Sequence, residues 1–458
     1  MQKHSDKFVI ARKSASTNPL KMSAPLGAAM AYLGLDGCLP LFHGSQGCTA
    51  FGLVLLVRHF KEAIPFQTTA MNEVTTILGG MDNVEQAVLN ISKRAKPRII
   101  GICSTGLTET RGEDTGADIR VIKARNAEAL GDCELVFAAT PDFAGGMQEG
   151  WGKAVAAIID AFVPAADGTR ALRQVNILAG CHMTPGDVEE LRDMVAAFGL
   201  EAIVLPDLAG SLDGHVPGRY VPTTYGGTTL EDMGRMHRSV ATIAVGEHMR
   251  ISAERLEART GVPTRFFDSL TGLDAVDRLM VALSDISGQP VPRKYRRQRS
   301  QLVDAMLDGH FHFGQKKIAL AAEPDLLWAV GRLFTDLGAE LATVVTTVPA
   351  PHLERLPCAQ IIVGDLWDLE EGAAATGADL LVTHSHGRQA SERLGLPLVR
   401  VGFPQFDRIG ASHQTLIGYR GTRELVCSIA NTFIDSQHAH SPQDWQEDRH
   451  GGSHAAAG

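Results

Sequence analysis

The sequence predicts an α/β protein of three domains, each a parallel β-sheet flanked by helices. Three observations carry that expectation. Strand-like and helix-like stretches alternate along the chain, the pattern of parallel strands joined by crossover helices. The strand-like stretches are continuous apolar runs, such as Ile99-Ile100-Gly101-Ile102-Cys103 and Leu380-Leu381-Val382, as strands covered on both faces require. The length, 458 residues, allows roughly three domains at ~150 residues each.

Taken in order, residues 1 to about 20 are expected to be a loosely ordered arm. Pro25 to Leu33 reads as a short helix with proline in its first turn. Leu39-Pro40-Leu41-Phe42 leads into the turn His43-Gly44-Ser45-Gln46-Gly47-Cys48. The apolar run Thr49 to Val57 then has helical character and closes at Arg58-His59-Phe60-Lys61-Glu62, where cations suit the helix dipole. Met81 to Arg94 has helical spacing through Val84, Val88 and Ile91, with Asp82 as its expected cap. A strand at 97–103 ends in Ser104-Thr105-Gly106, followed by a polar loop to Asp118, where the next unit starts. Because ligands of parallel sheets sit at strand carboxyl ends, this loop is the natural second wall for a site at Cys48. Strand Leu135 to Ala139 ends in Thr140-Pro141-Asp142, and a helix runs from about Gly150 to Phe162.

The first domain therefore spans 1–168 and the second 169–300. The second contains strand Val175–Gly180, a helix opened by Thr184-Pro185, strand Glu201–Pro206 and the capping loop Tyr225–Glu231. Strand Ala241–Val245 and a helix from Glu247 to Thr260 follow. The proline- and arginine-rich run Pro290–Arg299 marks the next boundary. The third domain, 301–435, carries strands at 316–322, 342–346, 360–363, 379–383 and 398–402 and a helix from Pro324 to Leu337. Residues 436–458, with His438, His440, His450 and His454 among small polar residues, have the composition of a disordered tail.

A net charge of −9 and a pI near 6.0 give no nucleic-acid footprint. Met1–Lys7 is polar, with no apolar signal segment behind it, and no window is long enough to span a bilayer, so a cytoplasmic protein is expected. The seven cysteines are scattered, odd in number and never spaced Cys-x-x-Cys, which argues against a disulfide framework. Any metal cluster must then draw ligands from distant positions or from another chain. There is no phosphate-binding Gly-x-x-x-x-Gly-Lys-Ser/Thr loop, no Gly-x-Gly-x-x-Gly after a strand and no Gly-x-Ser-x-Gly elbow. His384/His386 and His310/His312 are spaced as ligands could be, but also as ordinary loop and surface residues are.

Cys48 follows two glycines and opens a helix. The free N–H groups and positive dipole end there favour a thiolate or an anionic cluster. A buried cysteine in a glycine-rich turn has the same local pattern, and local chemistry leaves both readings open.

The runs Pro25-Leu26-Gly27-Ala28, His43–Cys48, Arg58–Glu62, Tyr225-Gly226-Gly227-Thr228-Thr229 and Gly402-Phe403-Pro404-Gln405-Phe406-Asp407-Arg408 together resemble the β subunits of the nitrogenase molybdenum–iron protein family. The resemblance continues in order through Gly79-Gly80, Lys96-Pro97, Ser104-Thr105 and Thr140-Pro141. It implies three Rossmann-like domains of the nitrogenase component 1 type. The catalytic β subunit of that family gives three cysteines to its P-cluster. Here only Cys48 is kept, with Met22-Ser23-Ala24 and Ser104-Thr105-Gly106 where the other two would stand.

One cysteine suits one corner of a [4Fe–4S] cluster shared with a partner subunit. The resemblance therefore implies the cofactor-assembly branch of the family. Its β-like subunit pairs with a NifE-like α subunit in an α2β2 scaffold. On that scaffold the iron–molybdenum cofactor precursor, held mainly by the α subunit, receives molybdenum and homocitrate. The nitrogenase iron protein, a NifB-type precursor donor and the apo molybdenum–iron protein are the further partners implied, with no catalytic residue in this chain. Ser23 and Asp142 are implied as neighbours of the cluster. The alternatives are a nitrogenase β subunit, a β-type subunit of dark-operative protochlorophyllide reductase, and a stand-alone α/β binding protein.

Overall fold

In the computed structural model, residues 7–11, 13, 15–109, 115–141 and 143–438 are described. The strands, in chain order, are β1 (Phe8–Ile10), β2 (Cys38–His43), β3 (Gln67–Thr68), β4 (Ile99–Ser104) and β5 (Glu134–Ala138). They continue as β6 (Gln174–Leu178), β7 (Glu201–Leu205), β8 (Ala241–Val245) and β9 (Thr264–Phe267). The last five are β10 (Lys317–Ala322), β11 (Glu340–Thr346), β12 (Ile361–Val363), β13 (Leu380–Thr383) and β14 (Leu398–Arg400).

These strands form three sheets, in the orders β3-β2-β4-β5, β7-β6-β8-β9 and β1-β12-β11-β10-β13-β14. Every ladder is parallel. The apolar runs explain this arrangement, since β2, β4, β6 and β8 are buried at every position and need helices on both faces. In each sheet the strand order reverses once, between β2 and β4, between β6 and β8, and between β10 and β13. Such switch points, at the carboxyl ends of the strands, are where open α/β sheets place ligands.

The first two sheets share one core. The Ala24–Leu33 helix is buried along all ten of its residues. It packs within one apolar cluster that runs from Leu26 and Trp151 to Leu205, Ala244 and Leu256. Its closest neighbour is the Met147–Phe162 helix, where a Cβ on Gly27 would stand 1.8 Å from the Met147 carbonyl oxygen. A Cβ on Gly150 would likewise stand 1.8 Å from the Ala24 carbonyl oxygen. Only hydrogen at both positions lets the backbones approach this closely.

Four local expectations are corrected. The described residues of the N-terminal segment are no loose arm: β1 pairs in parallel with β12, and Lys13 bridges Asp365 and Asp368 at 2.8 Å each. The cause is the open edge of β12, whose unpaired backbone groups take up a further strand. The polar loop after Ser104 contains a short helix (Gly106–Glu109), and Asp118–Ile122 lies inside a second helix (Thr115–Arg125) that buries Ile119 and Ile122. Asp82 sits within the first turn of the Met81–Ala95 helix, whose cap is Gly80. The division at 300/301 falls inside one helix, Arg293–Phe313, which buries Tyr295 and Leu302 in the second core and Phe313 in the third. The C-terminal helix (Gly418–His438) likewise joins both cores through Ile429 and Tyr419, and the remaining histidine-bearing tail lies outside the described residues. Among the described residues no helix is long and apolar enough to cross a membrane.

Candidate metal-cluster site

Strand β2 delivers His43 to the first switch point, and the chain turns through Gly44 and Ser45 into the Gln46–Phe60 helix. Cys48 is the third residue of that helix and is exposed, so it is not a buried cysteine in a turn. Its Sγ accepts a hydrogen bond from Ser45 Oγ at 3.4 Å. The first-turn N–H groups around it lack partners within the helix, an arrangement that favours anionic ligands.

The wall opposite is the end of β4, which pairs His43 with Ser104. Thr105 Oγ1 donates to the His43 carbonyl oxygen at 3.0 Å and closes the two strand ends together. A Cβ on Gly44 would stand 2.6 Å from that Thr105 oxygen, so Gly44 is demanded by strand-end packing. Gly47 differs: the nearest atom to its absent Cβ is Ser45 Oγ at 3.9 Å, which leaves open space beside Cys48. His43 is buried against Thr69 Oγ1 at 3.1 Å. Burial pushes its imidazole down to about 4, so it is neutral and structural at pH 7.

Ser23 caps the Ala24–Leu33 helix, its Oγ accepting the Leu26 N–H at 3.4 Å. The helix it caps packs behind the cysteine, with Leu26 Cδ1 3.3 Å from where a Cβ on Gly52 would lie. Ser104 is buried, with its Oγ accepting the Thr140 N–H at 2.8 Å, and is fully used in tying β4 to the end of β5. Asp142 lies outside the described residues. Cys38 and Cys103 are fully buried in the sheet, where burial pushes both thiols up. Among the described residues the other exposed cysteine is Cys427, on the C-terminal helix, so this chain brings a single thiol to the site.

The Cys48 helix is anchored at its far end. His59 Nδ1 accepts the Gln405 N–H at 2.9 Å, Arg58 lies over the Phe406 ring at 4.3 Å, and Lys61 Nζ reaches the Phe406 carbonyl oxygen at 3.2 Å. Two sequence runs that carried the resemblance, Arg58–Glu62 and Gly402–Arg408, are therefore in direct contact. Along the near half the same helix leaves apolar side chains uncovered: Phe51 is 64% exposed and Val54 50%. Phe51 and Val54 lie one turn apart on one face of the helix.

A second constellation is invisible in sequence spacing. His182, His248 and Asp325 are more than sixty residues apart in sequence, yet their ligand atoms lie within 4.8 Å of one another. The only signal in the chain is positional, since each follows the end of a strand (β6, β8 and β10).

Three parallel sheets define a multidomain α/β protein, and its first switch point carries a lone exposed thiol. The chain belongs to the nitrogenase component 1 family: the family described as nitrogenase component 1 type oxidoreductase matches residues 23–434. It is 56% identical over 432 residues to the nitrogenase iron–molybdenum cofactor biosynthesis protein NifN of Mesorhizobium japonicum, covering 94% of each chain. The same-named protein of Bradyrhizobium diazoefficiens is 53% identical, covering 95% of this chain and 93% of that one. Among solved structures, the one titled "Nitrogenase Cp1 at pH 6.5" superposes with a TM-score of 0.89 at 30% identity, covering 95% of this chain and 97% of that chain.

Proposed function

We propose that this chain is the β-like subunit of the scaffold on which the iron–molybdenum cofactor is completed, paired with a NifE-like α subunit in an α2β2 assembly. The observation that carries this reading is the lone exposed thiol of Cys48 beside an uncovered apolar helix face. Identities above 50% to relatives named for cofactor biosynthesis support it. The absence of cysteine at Met22-Ser23-Ala24 and Ser104-Thr105-Gly106 weighs against the catalytic β subunit.

The residues fit one corner of an interface [4Fe–4S] cluster. Cys48 supplies a free sulfur, the neighbouring Gly47 leaves room, and the helix N-terminus offsets negative charge. The remaining ligands belong to the α subunit in this reading. When bound, the cluster supplies a one-electron relay at the interface. Phe51 and Val54 exclude water by packing on the partner, and the His59–Gln405 contact holds the helix in position. In this reading Ser23 is a neighbour of the cluster and not a ligand.

The precursor resides mainly in the α subunit, and no side chain here is assigned a catalytic role. A scaffold must receive and release its cargo. The NifB-type donor, the nitrogenase iron protein and the apo molybdenum–iron protein are accordingly transient partners. Seven free cysteines suit the reducing cytoplasm.

Anaerobic co-purification with the partner, followed by iron analysis and EPR, tests the reading. About four irons per interface are expected, with loss of the signal in Cys48→Ala. An iron content and spectrum unchanged by that substitution would remove Cys48 as a ligand, and about eight irons per interface would instead indicate a P-cluster-type site.

A further inference from the structure

We infer that the junction of the three sheets holds a first-row divalent transition-metal ion, bound by His182 and Asp325, with His352 against the carboxylate and His248 orienting it. The place is defined by topology. His182 follows β6 and His248 follows β8, the two strands that flank the second switch point. Asp325 opens the Pro324–Asp336 helix directly after β10, beside the third switch point. The first unit closes the junction from its side, where Gln148 Oε1 accepts the Asp325 N–H at 3.3 Å. Two switch points thus face one another across a single cluster of donors, where α/β sheets characteristically place ligands.

The donor atoms divide into one that is satisfied and three that are not. His248 uses both ring nitrogens: Nε2 accepts the Cys181 N–H at 3.0 Å, and Nδ1 donates to Asp325 Oδ2. That pattern fixes the tautomer and aims the carboxylate, the arrangement that commonly backs a metal-bound group. In the other three groups, Asp325 Oδ1, His182 Nδ1 and both ring nitrogens of His352 are buried without a hydrogen-bond partner. Unmatched buried acceptors are costly and rare, and three in one cluster call for a shared partner.

The spacing suits a metal as that partner. Asp325 Oδ1 and His352 Nε2 stand 3.1 Å apart. Two ligands at about 2.1 Å from one tetrahedral ion are separated by about 3.4 Å. Charge agrees, because the Asp325 side chain is 1% exposed and its ion-pair partners among the described residues are histidines alone. A buried carboxylate requires a counter-charge, and a dication supplies it. Imidazole together with carboxylate suits zinc, iron(II) or cobalt(II) better than calcium or magnesium.

There is also room. A Cβ on Gly246 would stand 2.9 Å from Asp325 Oδ2 and 3.1 Å from His182 Cε1, so glycine keeps the centre of the cluster open. A cavity of about 50 Å³ lined by His182, Cys181, Gln148 and Glu323 adjoins it. That volume accommodates a water as a fourth ligand.

The test uses the full chain, chelator-treated, with His440, His450 and His454 changed to Gln so that the tail does not bind metal. Titration with Co²⁺, read by visible d–d absorption and by bound cobalt after desalting, should show about one equivalent taken up. His182→Gln and His352→Gln should each weaken binding at least tenfold, and His248→Gln about tenfold to a hundredfold. Cys48→Ala should leave binding unchanged. Where a histidine variant does not fold, Asp325→Asn, which keeps the shape and removes the charge, must show the same loss. No stoichiometric uptake of Co²⁺ or Zn²⁺ overturns the inference. So does uptake that survives both His182→Gln and His352→Gln, or uptake that disappears with Cys48.

Discussion

Gly27→Ala measures how closely the first helix must sit against the rest of the molecule. The added Cβ would lie 1.8 Å from the Met147 carbonyl oxygen, whereas non-bonded heavy atoms settle at about 3.5 Å. The Ala24–Leu33 and Met147–Phe162 helices must therefore part by roughly 1.7 Å, and the clash is backbone against side chain, with no rotamer to relieve it. Overpacking of this kind costs about 1–3 kcal/mol, and at this distance the upper end applies. Alanine returns about 1 kcal/mol of helix propensity. The steric term wins, leaving a net loss of about 2 kcal/mol.

Gly150→Ala meets Ala24 O at the same 1.8 Å and should cost a similar amount. The two variants strain one crossing, so the double variant should lose clearly less than the sum of the singles. Native-state hydrogen exchange of the Ala24–Leu33 amides is the suitable assay, because a chain with several cores need not unfold in one step. Either single variant within about 0.5 kcal/mol of the parent, or fully additive costs, would refute the close-crossing argument.

Three further outcomes follow from the cluster helix. Gly44→Ala, which drives a Cβ to 2.6 Å from Thr105 Oγ1, should destabilise the strand-end turn by about 1–3 kcal/mol and lower iron retention, whereas Gly47→Ala should do neither; equal iron content in both variants would contradict this. Phe51→Glu, at a side chain 64% exposed, should leave the melting temperature unchanged while weakening partner assembly by about 2–4 kcal/mol, read by native mass spectrometry; unaltered assembly would show that this face stays free. Burial first, and Lys61 second, push the His59 imidazole from 6.5 down to about 3, so its contribution to stability is complete above pH 6.5 and is lost as pH falls towards 3. Acidification from pH 7 to 5 should cost about 2 kcal/mol at this residue. His59→Gln, which can still accept the Gln405 N–H, should flatten that part of the profile, and an unchanged slope in thermal melts would assign the pH dependence elsewhere.

The fold was legible where sequence signals were local and redundant. Continuous apolar runs such as Ile99–Ser104 are strands, and Thr184-Pro185 caps its helix as its chemistry requires, with Thr184 Oγ1 accepting the Asp187 N–H at 2.9 Å. What escaped local reading depends on distant partners. Phe8–Ile10 is a strand only because β12, some 350 residues later, offers an edge, and nothing near residue 8 encodes that edge. Likewise Pro290–Arg299 has a boundary's composition, yet tertiary packing of Tyr295 and Leu302 carries the helix through it.

The candidate site divides in the same way. Cys48 stood out because glycines and a helix start surround it in sequence. The His182–His248–Asp325 group did not, because each member is an isolated residue until three strand ends converge. Gly44 is fixed by a partner distant in sequence, because a Cβ there would stand 2.6 Å from Thr105 Oγ1.

The two sites are joined through one packed layer. His59, at the anchored end of the cluster helix, and His182, at the junction, line the same small cavity together with Gly402 and Phe403. Phe403 stacks edgewise on His59 at 4.9 Å, and two residues further on Gln405 donates to the same ring. A displacement of the Gly402–Arg408 loop would break the His59 hydrogen bond and loosen the helix that presents Cys48. Removing that bond strands a buried N–H at a cost of about 1–3 kcal/mol, enough to hold the helix in one position at rest. The loop is thus the physical connection between the junction and the thiol, which explains why runs as distant as Arg58–Glu62 and Gly402–Arg408 form one structural unit.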